Sequence, residues 1–161
     1  MKKITFVLIA LITGTTFAQN SKTATAPVNA EIVSPIGITR DTDTSMDFGK
    51  FTTSTAAATV VLSANGATRT FSATDMEIAA YGTFDVPAFT VTKDADALYK
   101  VAMSVTTQPG TEMTLTNLTH TLGADGANDE STFSIGGTLN VPADATAGAQ
   151  SGLVSVTVTY E

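Results

Sequence analysis

The one histidine of the chain, His120 in TNLTHTLG, is the only imidazole that could relay a proton in a Ser-His-Asp arrangement. No nucleophile-elbow motif accompanies it, so it reads as a strand-surface histidine. Oxygen ligands for a hard cation gather in two acidic loops. RDTDTSMDFG offers Asp41, Asp43 and Asp47, but Met46 stands where a compact calcium loop needs its sixth-position glycine. GADGANDES offers Asp125, Asn128, Asp129 and Glu130. Asp, Asn and Gly are also the ordinary turn residues, and both loops read first as solvated turns. A sugar platform would need an exposed aromatic ring; Trp is absent, and Tyr81, beside Gly82, is the only tyrosine outside an expected strand. Tyr81 therefore reads first as a loop tyrosine packed on its own scaffold. The residue inventory therefore assigns no catalytic residue, no metal site and no cofactor, and a non-enzymatic protein is expected.

The first residues stand apart from the rest. Lys2-Lys3 form a positive n-region, Ile4 to Ile12 an apolar stretch too short to cross a bilayer, and Thr16-Phe17-Ala18 a small-residue cleavage site. Residues 1–18 are thus expected to be a secretory signal peptide, 19–34 an N-terminal extended segment, and 35–161 one domain. The whole chain carries 8 basic and 15 acidic residues; without Lys2 and Lys3 the balance is 6 − 15 = −9. That charge disfavours nucleic acid and anionic membrane surfaces, which require a basic footprint. There is no cysteine, so no disulfide supports the fold, although an exported compartment would permit one. Only 14% of residues are charged, and Thr, Ser and Ala fill the small and polar positions, the habit of a secreted β-rich chain.

The elements that would position any site are strands. Period-two stretches separated by Gly, Asn, Asp and Pro predict strands over 23–33, 45–52, 57–64, 67–73, 84–92, 98–106, 111–121, 131–141 and 152–160. Asn65-Gly66 in TVVLSANGATRTF suggests a two-residue type I′ hairpin. Tyr99, Val101, Met103 and Val105 form one inward row, and Phe133, Ile135, Gly137, Leu139 and Val141 another. The expected fold is all-β, an immunoglobulin-like antiparallel β-sandwich. Gly136-Gly137 would mark a bulge or a close backbone approach, and Pro35 a bend where the first strand changes sheets.

The most regular strand closes the chain. In AGAQSGLVSVTVTYE, Val154, Val156, Val158 and Tyr160 fall on one face and Ser155, Thr157 and Thr159 on the other. Burying that row would contribute about 6–10 kcal/mol, comparable to the net stability of a domain. Together with Gly148 and the penultimate position of Tyr160, the row resembles the C-terminal signature of chaperone–usher pilins. In that family the last strand is capped by a periplasmic chaperone and later borders a groove filled by a neighbour's strand. The resemblance implies like subunits or related pilins as partners, with a chaperone and an outer-membrane usher. A donor segment would then be needed, and TATAPVNAEI supplies Ala24, Ala26, Val28, Ala30 and Ile32 at two-residue spacing. Pro27 removes one ladder donor, and the disulfide frequent in such pilins is missing. The same alternation would suit a subunit's own first strand; periodicity does not say whose sheet is joined.

SPIGIT (Ser34 to Thr39), MDFGKF (Met46 to Phe51), FSIGGTLNV (Phe133 to Val141) and GLVSVTVTY (Gly152 to Tyr160) together resemble an uncharacterised family of short, secreted bacterial immunoglobulin-like proteins, a domain of unknown function. That resemblance implies a sandwich and a Gram-negative envelope context, with no assigned catalytic residue. The function expected from both resemblances is a structural subunit of a fimbria-like surface filament, exported through the periplasm to the cell surface and assembled by strand exchange. The alternative is a self-complete secreted sandwich acting as a monomeric binding or adhesion module.

Overall fold

The computed structural model describes residues 21–77, 82–123 and 128–161. The proposed signal peptide, Tyr81 and Asp125 lie outside them. The described residues contain eight strands and no helix: β1 (Gly37–Arg40), β2 (Ala58–Leu62), β3 (Arg69–Phe71), β4 (Ala88–Thr92), β5 (Tyr99–Thr107), β6 (Thr114–His120), β7 (Thr132–Val141) and β8 (Leu153–Tyr160). All pairings are antiparallel, and the strands form a six-stranded and a two-stranded sheet, a β-sandwich.

β7 is the spine. One edge pairs with β6, while the other meets β4 over Thr132–Ser134 and β2 over Gly137–Val141, so β4 and β2 lie end to end along it. The change of partner falls at Gly136, where a Cβ would stand 2.3 Å from the Leu62 carbonyl oxygen and 2.6 Å from the Ala64 nitrogen. Only glycine allows this backbone approach, as the glycine pair suggested. β7's inward residues Phe133, Ile135, Leu139 and Val141 are buried. Two apolar clusters form on this spine. One gathers Ala58, Val60, Met76, Leu139 and Val141; the other gathers Val91, Tyr99, Leu122, Phe133, Ile135 and Val158.

The β2–β3 hairpin forms, but with a longer connection than a type I′ turn. Ser63 N–H donates to the Thr68 carbonyl at 3.0 Å and Gly66 N–H to the Ser63 carbonyl at 2.9 Å. Gly66 takes positive φ (66°) and Asn65 does not; the Asn65 side chain instead accepts from Ala67 N–H. A turn built this way needs positive φ once, whereas type I′ needs it twice.

Two expected strands are absent. Over 45–52 the backbone makes one isolated bridge, Asp47 to Asp85, and Gly49 turns away at φ 71° with its N–H bonded to the Asp47 carboxylate at 2.7 Å. Met46 packs on one apolar cluster and Phe48 and Phe51 on the other, so the segment crosses between clusters. The chain divides into units at Ile32/Val33, and the described part of the first unit, residues 21–32, carries no strand and is exposed throughout.

Candidate functional site

β8 pairs along its whole length with β5, from Tyr99–Tyr160 to Thr107–Leu153. Among the described residues that is its only strand partner, and β1 pairs only with β4. Across the two sheets, β8 has β1 as its neighbour and β5 has β6. The seam between β8 and β1 therefore joins two edges that carry no ladder partner among the described residues. Along such an edge every second residue presents an N–H and a C=O without a ladder partner, a template for a further strand.

The seam is apolar inside. The inward row of β8 is Val154, Val156, Val158 and Tyr160, as the alternation predicts, and Ser155, Thr157 and Thr159 are exposed. Only Val158 is buried, at 8% exposure; Val154 and Val156 are half-buried, as are Ile36 and Ile38 beside and on β1. These residues and Met46, Phe89, Val101 and Met103 pack against the second cluster without closing over it. Finishing the burial of Val154 and Val156 would contribute about 1 kcal/mol each.

One end of the seam is held by Tyr160. Its hydroxyl donates to the Ser34 carbonyl at 2.7 Å and accepts from Asp94 N–H at 2.9 Å. Lys100 and Glu161 form an ion pair at 3.1 Å beside it, and Glu161 N–H donates to the Leu98 carbonyl at 3.1 Å. A shallow cleft of about 410 Å³, lined by Val33, Ala97, Leu98, Tyr160 and Glu161, opens at the same end. Gly148 does not share in β8. It lies in the preceding connection at φ 152°, outside the strand conformation, and is exposed.

The candidate donor residues Ala24, Ala26, Val28, Ala30 and Ile32 are all exposed, Val28 at 93% and Ile32 at 97%. The chemical candidates go elsewhere. Asp41 and Asp47 cap local turns, Asp41 accepting from Asp43 N–H at 3.1 Å. Asn128 is buried and donates to the Tyr99 carbonyl, while the buried Tyr99 hydroxyl donates to the Glu130 carbonyl at 2.9 Å. Burial, followed by the nearby Glu130 and Asp129 charges, raises the Tyr99 pKa. Among the described residues no three His, Asp or Glu side chains gather as a metal group. His120 ends β6, opposite Ile135.

Ser34, Asp94, Ile36 and Ile38 enter the site without having been singled out in advance. The two isoleucines had a signal, the alternation within SPIGIT; the bonds to Tyr160 span 126 and 66 residues and had none.

These features define an all-β sandwich in which β8 keeps one edge without a strand partner among the described residues. The chain belongs to the family described as Domain of unknown function (DUF4402), whose model matches residues 36–160. No curated protein and no solved structure matches the chain.

Proposed function

We propose that this protein is a structural subunit of a fimbria-like surface filament, an immunoglobulin-like module in which residues 23–33 of one copy fill the open seam of the next. The observation that carries the reading is the mismatch between the two edges and the segment. Among the described residues β8 and β1 are neighbours that each keep an edge without a ladder partner, beside half-buried valines and isoleucines, and the chain owns an alternating apolar row in an exposed segment. A strand laid in the seam would satisfy hydrogen bonds on both sides and bury apolar surface together, the physics of strand addition. The partners are like subunits or related pilins, delivered by a periplasmic chaperone and an outer-membrane usher to the cell surface.

Val28→Asp tests this. A carboxylate in the middle of the donated row would be buried without a partner, and wild-type polymers should disappear while the capped subunit remains folded. A wild-type protein that stays strictly monomeric at high concentration overturns the reading and favours the monomeric binding module.

A further inference from the structure

We propose that Tyr160 is the end-stop of the seam: its hydroxyl bridge to Ser34 closes one pole and thereby fixes the register at which a second copy's segment is seated. The inference rests on the strand-exchange reading and adds a positioning role for one residue.

The bridge joins three distant parts of the chain. Tyr160 ends β8, Ser34 immediately precedes the β1 region, and Asp94 follows β4. Its two bonds, at 2.7 and 2.9 Å, use the hydroxyl once as donor and once as acceptor. Ser34 precedes Pro35, and a residue before proline is confined to extended conformations, so the accepting carbonyl sits on a stiff piece of backbone. The two edges of the seam are therefore tied together at the Tyr160 pole by side-chain bonds alone. At the other pole, Leu153 is 65% exposed and nothing comparable spans the gap among the described residues.

The side-chain sizes match a seam closed at that pole. Val158, next to the bridge on the inward row, is already buried, whereas Val156 and Val154 further along it are half-buried. The segment's row carries the small Ala24 and Ala26 at one end and its largest residue, Ile32, at the other, with Val28 and Ala30 between them. An antiparallel strand stopped at Tyr160 sets Ala24 against Tyr160, Ala26 against Val158, Val28 against Val156, Ala30 against Val154 and Ile32 against Gly152. Ala24 and Ala26 then meet Tyr160 and Val158 at the bridged pole, Ala30 meets the half-buried Val154, and Ile32 meets a glycine. The outward positions of this register pair Thr25 with Thr159, Pro27 with Thr157 and Asn29 with Ser155. A slip by two residues changes every one of these pairs while keeping the same faces inward, so alternation alone does not choose between registers.

The absence of cysteine makes the register directly readable. Full mature chain carrying Asn29→Cys is mixed with chain carrying a single cysteine at Ser155, Thr157 or Leu153, oxidised, and inter-chain disulfides are quantified. The expected result is one dominant partner, Ser155→Cys. Adding Tyr160→Phe, which keeps the ring and removes the hydroxyl, should spread the links over positions two residues away. Asp94→Pro, which removes the N–H that orients the hydroxyl, should do the same and serves if Tyr160→Phe does not fold. An unchanged single partner in both bridge variants overturns the end-stop while leaving strand exchange intact. No link between the segment cysteine and any β8 cysteine in any background overturns strand exchange and the end-stop together.

Discussion

Among the described residues β7 has a strand on each edge and β8 has one on a single edge, and the burial of their inward rows follows that difference. Leu139 and Val141 are 3% and 2% exposed between β2 and β6, whereas Val154 and Val156, with equal apolar character and stricter alternation, are only half-buried beside β5. Alternation makes a face apolar; neighbouring strands decide whether that face becomes core. A sandwich can therefore carry a sequence pattern whose burial is completed only by another strand, and β8 is where this chain does so.

The largest effect that tests the comparison falls on the spine. Gly136→Val would press a side chain against backbone atoms of Leu62 and Ala64 at a point where neither can swing aside, and more than about 3 kcal/mol should be lost. Loss of the cooperative thermal transition is the expected readout. A variant melting like wild type would show that β2 and β4 do not meet β7 as described.

Truncations on the two strands should differ next. Leu139→Ala removes a fully enclosed side chain and should cost about 2–5 kcal/mol, measured by urea unfolding of the isolated subunit. Val156→Ala removes two methyl groups of a half-buried side chain and should cost about 1 kcal/mol. Equal losses would mean that β8 is already as enclosed as β7, and the seam would lose its meaning as a site.

Much of this contrast was legible in advance. The rows Tyr99–Val105, Phe133–Val141 and Val154–Tyr160 all face inward as their period-two spacing requires, because side-chain direction is a local property of an extended chain. Pairing is not local. Nothing in FSIGGTLNV reveals that β4 and β2 share one edge of β7, and nothing in VSVTVTY reveals that β8 keeps an edge free. Residues 45–52 mislead for a related reason: Met46, Phe48 and Phe51 mimic a strand face although they serve two different clusters. The five candidate donor residues were visible as a row, and the bonds that close the seam at Tyr160 were not, since they join residues far apart in sequence.

Supplying the missing neighbour should erase part of the difference between the strands. A synthetic peptide covering residues 21–34, added at one hundred times its dissociation constant, should stabilise the subunit by about 2.7 kcal/mol through mass action. The gain appears as a concentration-dependent rise in melting temperature, and the same peptide with Val28→Asp should give none. A rise of equal size with both peptides would place the binding outside the apolar row.

The smallest effect concerns how β8 is delivered to its place rather than how its edge is paired. The connection between β7 and β8 passes Thr146, whose N–H and hydroxyl donate to the Glu112 carboxylate at 2.8 and 2.9 Å. Those bonds, the backbone one first, hold the Glu112 pKa below its ordinary value of 4.5. A carboxyl whose folded pKa is depressed stabilises the native state above its unfolded pKa, and that stabilisation fades as pH falls through the folded value. The contribution is therefore complete at neutral pH and disappears in acid. Glu112 is at the surface, where solvent and salt screen such bonds, so the shift is modest. Melting curves of wild type and Glu112→Gln should differ most near pH 7 and converge at pH values below the folded pKa. If the gap between them stays constant down through the acid range, the carboxylate charge plays no part in tethering Thr146, and the connection into β8 is held by packing of Ala145 on the first cluster instead.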